Sequence, residues 1–135
     1  MIRRVAWYRG ESDERDWSRL LSRGHELADR IAAICSDKLA EDVVILDMED
    51  VVGYTDAFVI CSGQNPRHVQ AIAEEVELVL KHDEGLLPKG GEGKREGDWI
   101  LLDYLDCVLH VFTPEARTFY RLEQLWGQVP QRQVV

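Results

Sequence analysis

From His25 onward, apolar residues recur at helical spacing. Leu27, Ile31, Ile34 and Leu39, with Ala28, Ala32 and Cys35 between them, form one broad stripe. The spacing predicts a first helix that ends near Leu39 or Ala40. Two short β-branched runs follow, at residues 43–46 and 57–61. Neither alternates with polar residues, which predicts strands buried on both faces, in a sheet with helices on each side. Asn65 as cap and Pro66 at the first helical position open a second helix, where Val69, Ile72, Ala73, Val76 and Leu80 share one side and Glu74, Glu75, Glu77 and Lys81 the other. Residues 82–97 read as a Gly-rich loop. Residues 99–102 and 107–112 then flank Asp103, Tyr104, Leu105 and Asp106, the pattern of a hairpin. Thr113 and Pro114 open a third helix, with Ala116, Phe119, Leu122 and Trp126 on one face and Gly127 as its stop. Residues 1–22 lack a clean period despite Trp7, Tyr8 and Trp17 and read as an extension; residues 128–135 read as a tail. The order between them, helix, two strands, helix, hairpin, helix, predicts one α/β domain over residues 23–127, a single mixed sheet flanked by helices.

A chain of 135 residues suits a single domain with a real core. Its 16 basic and 25 acidic residues leave a net charge of −9. Nucleic-acid affinity rests on Lys and Arg displacing counterions, so this balance argues against broad phosphate binding and favours a basic protein surface as the charged partner. Cys35, Cys61 and Cys107 are odd in number, form no C-x-x-C and sit in apolar stretches, as buried thiols in a reduced compartment do. The apolar runs fall short of the ~20 residues a membrane span needs. The acids at Glu11, Asp13, Glu14 and Asp16 suit neither a secretory nor an organellar leader. A cytoplasmic location follows as the expectation.

Candidate chemistry is sparse. Gly93-Lys94 lacks the upstream glycine and the Ser or Thr of a phosphate loop. Ser62-Gly63 before a capped helix could bind an anion on free amides, but one glycine and one serine are weak evidence and a plain turn is the simpler reading. Asp47 and Glu49 have the spacing of a divalent-metal pair, but a solvated strand end is the simpler reading. His110 and Cys107 lie an odd number of residues apart on one strand, hence on opposite faces, and form no nucleophile–base pair. No cofactor, metal or catalytic set is expected. The hairpin is the unusual element: Trp99, Leu101 and Asp103 share one face and Asp106, Val108, His110 and Phe112 share a face of the return strand, the composition of a recognition surface.

At these residues the chain resembles the ribosomal silencing factor, or Iojap-like, family. The resemblance rests on residues 54–63, Arg67-His68-Val69 with Ala71-Ile72-Ala73, Gly85-Leu86-Leu87-Pro88, Gly91-Glu92-Gly93, residues 98–103, Asp106 with His110-Val111, and Tyr120 with Leu122-Glu123 and Leu125-Trp126, in order from about His25 to Gly127. It implies a nucleotidyltransferase-like fold without the catalytic residues. It also implies binding to the large ribosomal subunit at its protein number fourteen, which blocks joining of the small subunit and lowers translation. Carried over residue by residue, the partner-binding surface comprises Glu92, Trp99, Asp103, Tyr104, Asp106 and His110. Little direct contact with nucleic acid is expected, and self-association into a homodimer in the free state stays open. The family often has Gly at the hairpin turn where this chain has Leu105. A divergent nucleotidyltransferase and a dimeric scaffold are the alternative classes.

Overall fold

A computed structural model describes residues 5–7 and 23–134. One sheet runs through them, in the order β1-β7-β2-β3-β6-β5-β4. Its strands are β1 (Val5–Trp7), β2 (Glu41–Asp47), β3 (Ala57–Ser62), β4 (Gly90–Glu92), β5 (Trp99–Asp103), β6 (Cys107–Phe112) and β7 (Gln131–Val134). β3 and β6 pair in parallel, and the other neighbours pair antiparallel, so the sheet is mixed as expected.

The two long helices, α1 (Arg23–Asp37) and α2 (Pro66–Glu84), cover one face of the sheet. The α2 start follows from its sequence: the Asn65 side chain accepts the His68 N–H at 2.9 Å, and Gly85 ends the helix at φ 64°. Their stripes meet Val43, Ile45, Val59, Cys61, Ile100, Leu102, Leu109 and Val111 in the larger core, which also contains all three cysteines as free thiols. Every residue of β3 and β6 is buried, consistent with their unbroken apolar runs.

The opposite face is covered much less. The expected third helix is broken in two, α3 (Pro114–Tyr120) and α4 (Leu122–Leu125), by Arg121 at φ 49°. A continuous helix would keep Phe119 in line with Ala116, Leu122 and Trp126. With the break, Leu122 and Trp126 pack on the second core while Phe119 stays 78% exposed. The Arg117 guanidinium holds the two pieces together through both Nε and Nη2 on the Glu123 carboxylate, at 2.9 and 2.7 Å.

Two further differences from the sequence reading involve strands. Within the expected Gly-rich loop, β4 pairs with β5. Residues 128–135, expected as a tail, carry β7, which inserts between β1 and β2 and brings Val129 and Arg132 into the protein; Arg132 Nη1 meets Asp29 of α1 at 3.0 Å. The expected extension over residues 1–22 lies outside the described residues except for β1, which pairs with β7.

Candidate partner-binding site

The less covered face of the sheet is built from residues that strand pairing places in rows. Glu92, Leu101 and His110 lie side by side across β4, β5 and β6; Trp99 is paired with Phe112, and Asp103 with Val108. Cross-strand partners point to the same face, so Glu92, Trp99, Leu101, Asp103 and His110 all face away from α1 and α2. Gly93 makes the β4–β5 connection possible: at φ 82°, a Cβ there would lie 1.9 Å from the Trp99 carbonyl oxygen.

The aromatic residues on this face form one cluster. The Trp99 indole stacks on Phe112 at 5.0 Å between centroids and meets Tyr120 of α3 at 4.7 Å; Phe119 makes an edge contact with Tyr120 at 5.0 Å. Trp99 Nε1 donates to His110 Nδ1 at 3.1 Å. The acceptor nitrogen must be unprotonated, so a neutral His110 carries its proton on Nε2. Burial lowers the His110 pKa to about 4 and keeps the ring neutral at physiological pH. The surface thus grades from exposed Phe119 and Tyr120, through half-buried Trp99 and Leu101, to buried His110. Glu92 on β4 and Asp103 on β5 lie beside it on the same face, and the exposed Asp98 directly precedes β5.

The six expected partner-binding residues are therefore divided. Glu92 lies on a strand, exposed, at the sheet edge. Trp99 is a half-buried, hydrogen-bonded ring packed against the second core cluster. Asp103 faces the open side, but one of its carboxylate oxygens accepts the Leu105 N–H at 2.8 Å and so fixes the hairpin turn. Tyr104 points the other way, into the core beneath the helices, where burial pushes its phenol well above its ordinary pKa. Asp106 precedes the return strand and pairs with Arg23 at the start of α1, at 3.3 Å. The alternation that would align Asp106 with His110 does not extend through the turn. Leu105 takes φ 76°, a backbone conformation that glycine adopts readily. The helical spacing places Phe119 inward, whereas the break at Arg121 leaves it and Tyr120 exposed at the end of α3; because the sequence predicts an unbroken helix to Gly127, no local signal marks the pair.

Two other places in the fold gather polar and charged groups. Beside Ser62 a cavity of about 470 Å³ is lined by Glu41, Asp42, Arg117, Thr118, Arg121 and Glu123. The amides that an anion would need there are engaged: Gly63 N–H donates to the Phe112 carbonyl and Gln64 N–H to His68 Nδ1, both at 2.9 Å. Ser62 Oγ accepts from Arg117 Nη1 at 2.9 Å. Ser62-Gly63 is a structural turn. At the far end of β2, Asp47 is not the solvated strand end expected from sequence, since it is buried and faces His25 of α1, with Glu49 alongside.

Comparison with known proteins follows the same outline. A family model described as ribosomal silencing factor during starvation matches residues 22–135. The ribosomal silencing factor RsfS of Bacillus subtilis is 44% identical over 99 residues, covering 73% of this chain and 83% of the relative. The mouse protein named mitochondrial assembly of ribosomal large subunit protein 1 is 32% identical over 73% of this chain, which spans 44% of that longer protein. A crystal structure of a Chromobacterium violaceum protein superimposes with a TM-score of 0.71 at 31% identity, covering 76% of this chain and 85% of the other. Among the described residues no helix is long and apolar enough to cross a membrane. The chain belongs to the ribosomal silencing factor family, whose members are ribosome-associated regulators of translation and not enzymes.

Proposed function

We propose that this protein silences translation by docking on large-subunit ribosomal protein number fourteen, where its bulk keeps the small subunit from joining. The contact face is the open side of the β4–β5–β6 ribbon together with α3. One observation carries this reading: the aromatic cluster of Trp99, Phe112 and Tyr120 extends to the surface at Phe119, and the sheet face that holds Trp99 also carries Glu92 on the edge strand β4 and Asp103 on β5. Aromatic anchors bordered by charge are the usual makeup of a binding patch. The net charge of −9 opposes contact with bare RNA and favours a basic ribosomal protein. The name of the mouse relative, which concerns the large ribosomal subunit, points to the same particle.

Within this reading the expected residues take different parts. Glu92, Trp99 and Asp103 meet the partner; His110 positions the indole from below; Tyr104 and Asp106 hold the hairpin against the helices. Cosedimentation of the purified protein with separated subunits tests it. The protein should pellet with large subunits and stay in the supernatant with small ones, and equal pelleting with both would contradict the assignment.

A further inference from the structure

We propose that His25, Asp47 and Glu49 form a binding site for a divalent transition-metal ion, Zn²⁺ being the best fit to the donor set. One ligand atom from each lies within 4.8 Å of the others. His25 Nε2 is 3.4 Å from Asp47 Oδ1 and 3.8 Å from Glu49 Oε2. Four ligands about 2.1 Å from a Zn²⁺ ion stand roughly 3.4 Å apart along the edges of a tetrahedron, so small side-chain shifts would seat all three on one ion. One imidazole with two carboxylates is a nitrogen and oxygen set that suits Zn²⁺, Mn²⁺, Fe²⁺ or Co²⁺ better than Mg²⁺ or Ca²⁺, which prefer oxygen alone.

The fold brings these residues together from distant parts of the sequence. His25 is in the first turn of α1, whereas Asp47 ends β2 and Glu49 follows two residues later. Gly24 permits the approach: a Cβ at that position would lie 2.3 Å from the Asp56 Cβ and 2.6 Å from the Asp106 carbonyl oxygen. The Glu49 N–H donates to Asp47 Oδ1 at 3.1 Å, which orients the Asp47 carboxylate. The His25 and Asp47 side chains are almost fully shielded, while that of Glu49 is 29% exposed and provides the solvent-facing side where a fourth ligand, water, can enter. A bound ion would clip the start of α1 to the end of β2, stabilising the folded chain in proportion to its occupancy. This site does not depend on the ribosomal reading and lies apart from the β4–β5–β6 face.

The test uses the full-length chain stripped with a chelator and then titrated with Zn²⁺ by calorimetry and with Co²⁺ by visible absorption. One ion should bind per chain, raise the melting temperature and give a Co²⁺ spectrum with nitrogen and oxygen ligands, without thiolate charge-transfer bands. His25→Gln alters a buried position and can unfold the protein, so Glu49→Gln is the main variant; it should keep the fold and lose at least about tenfold in Zn²⁺ affinity. Absence of saturable uptake, unchanged affinity in Glu49→Gln, or a thiolate signature from the cysteines would each overturn the assignment.

Discussion

His110 makes one residue a reporter of the whole open face. Its ring is buried and neutral with a pKa lowered to about 4, against about 6.5 for an unfolded histidine. Above pH 6.5 both states are neutral and the shift has no effect on stability. As pH falls from 6.5 toward 4, the unfolded chain takes up a proton that the folded chain does not, and stability declines, by about 3 kcal/mol at the acid end. Denaturant melts at intervals across that window should show the decline, and His110→Gln should flatten it; an identical acid limb in the variant would mean that other groups cause it. Trp99 and Phe119 are distinguished in the same way. Trp99→Phe keeps the stacking but loses the bond to His110, and should cost about 1 kcal/mol of stability. Phe119 is 78% exposed, so Phe119→Ala should change stability by no more than about 0.5 kcal/mol while weakening large-subunit binding roughly tenfold or more. Thermal melting beside binding decides, and unchanged affinity for Phe119→Ala would remove it from the interface.

At the scale of elements, the turn at Leu105 and the strand at the C-terminus make separate predictions. A non-glycine residue in the left-handed region costs about 1–2 kcal/mol, and glycine loses about 0.5–1 kcal/mol through the entropy of the unfolded chain. The Leu105 side chain is half exposed and contributes little burial. Leu105→Gly should therefore leave the melting temperature unchanged or raise it, and a clear fall would show that Leu105 has a packing role. Truncation after Gly127 removes β7 and leaves an edge of β2 unpaired; the loss should be at least about 3 kcal/mol, about 2 kcal/mol of it from Val129 alone. A truncated chain with an unchanged melt would restore the view of these residues as a tail. These elements also mark the limit of what the sequence discloses. α2 and the β5–β6 hairpin are legible because caps, stops and apolar runs are local signals. β7 is not, because Gln131, Arg132 and Gln133 carry no apolar alternation and their pairing is decided by the strand they join. The break at Arg121 depends on the Arg117–Glu123 contact, which is formed only in the folded state. The meeting of His25 with Asp47 likewise requires the close approach at Gly24, which periodicity does not encode.

For the molecule as a whole, the two faces of the sheet have different tasks. The face under α1 and α2 supplies the larger core, and the face with the short α3 and α4 leaves a strip of aromatics accessible. This asymmetry makes the hairpin legible as unusual from composition, while the separate surroundings of its two acids arise only on folding. Asp106 pairs with Arg23 of α1, so the acids on the proposed docking face are Glu92 and Asp103, in a chain of net charge −9. Raising salt should slow association more than it speeds dissociation, as rim charges act mainly on encounter. The central claim is steric exclusion of the small subunit by a protein seated through this face. Its most direct test is density-gradient sedimentation of mixed large and small subunits with the protein added at increasing concentration. The joined-ribosome peak should fall as the wild type rises and should recover when Phe119→Ala is used at the same concentration. A joined peak that is undiminished at saturating wild-type protein would contradict the account.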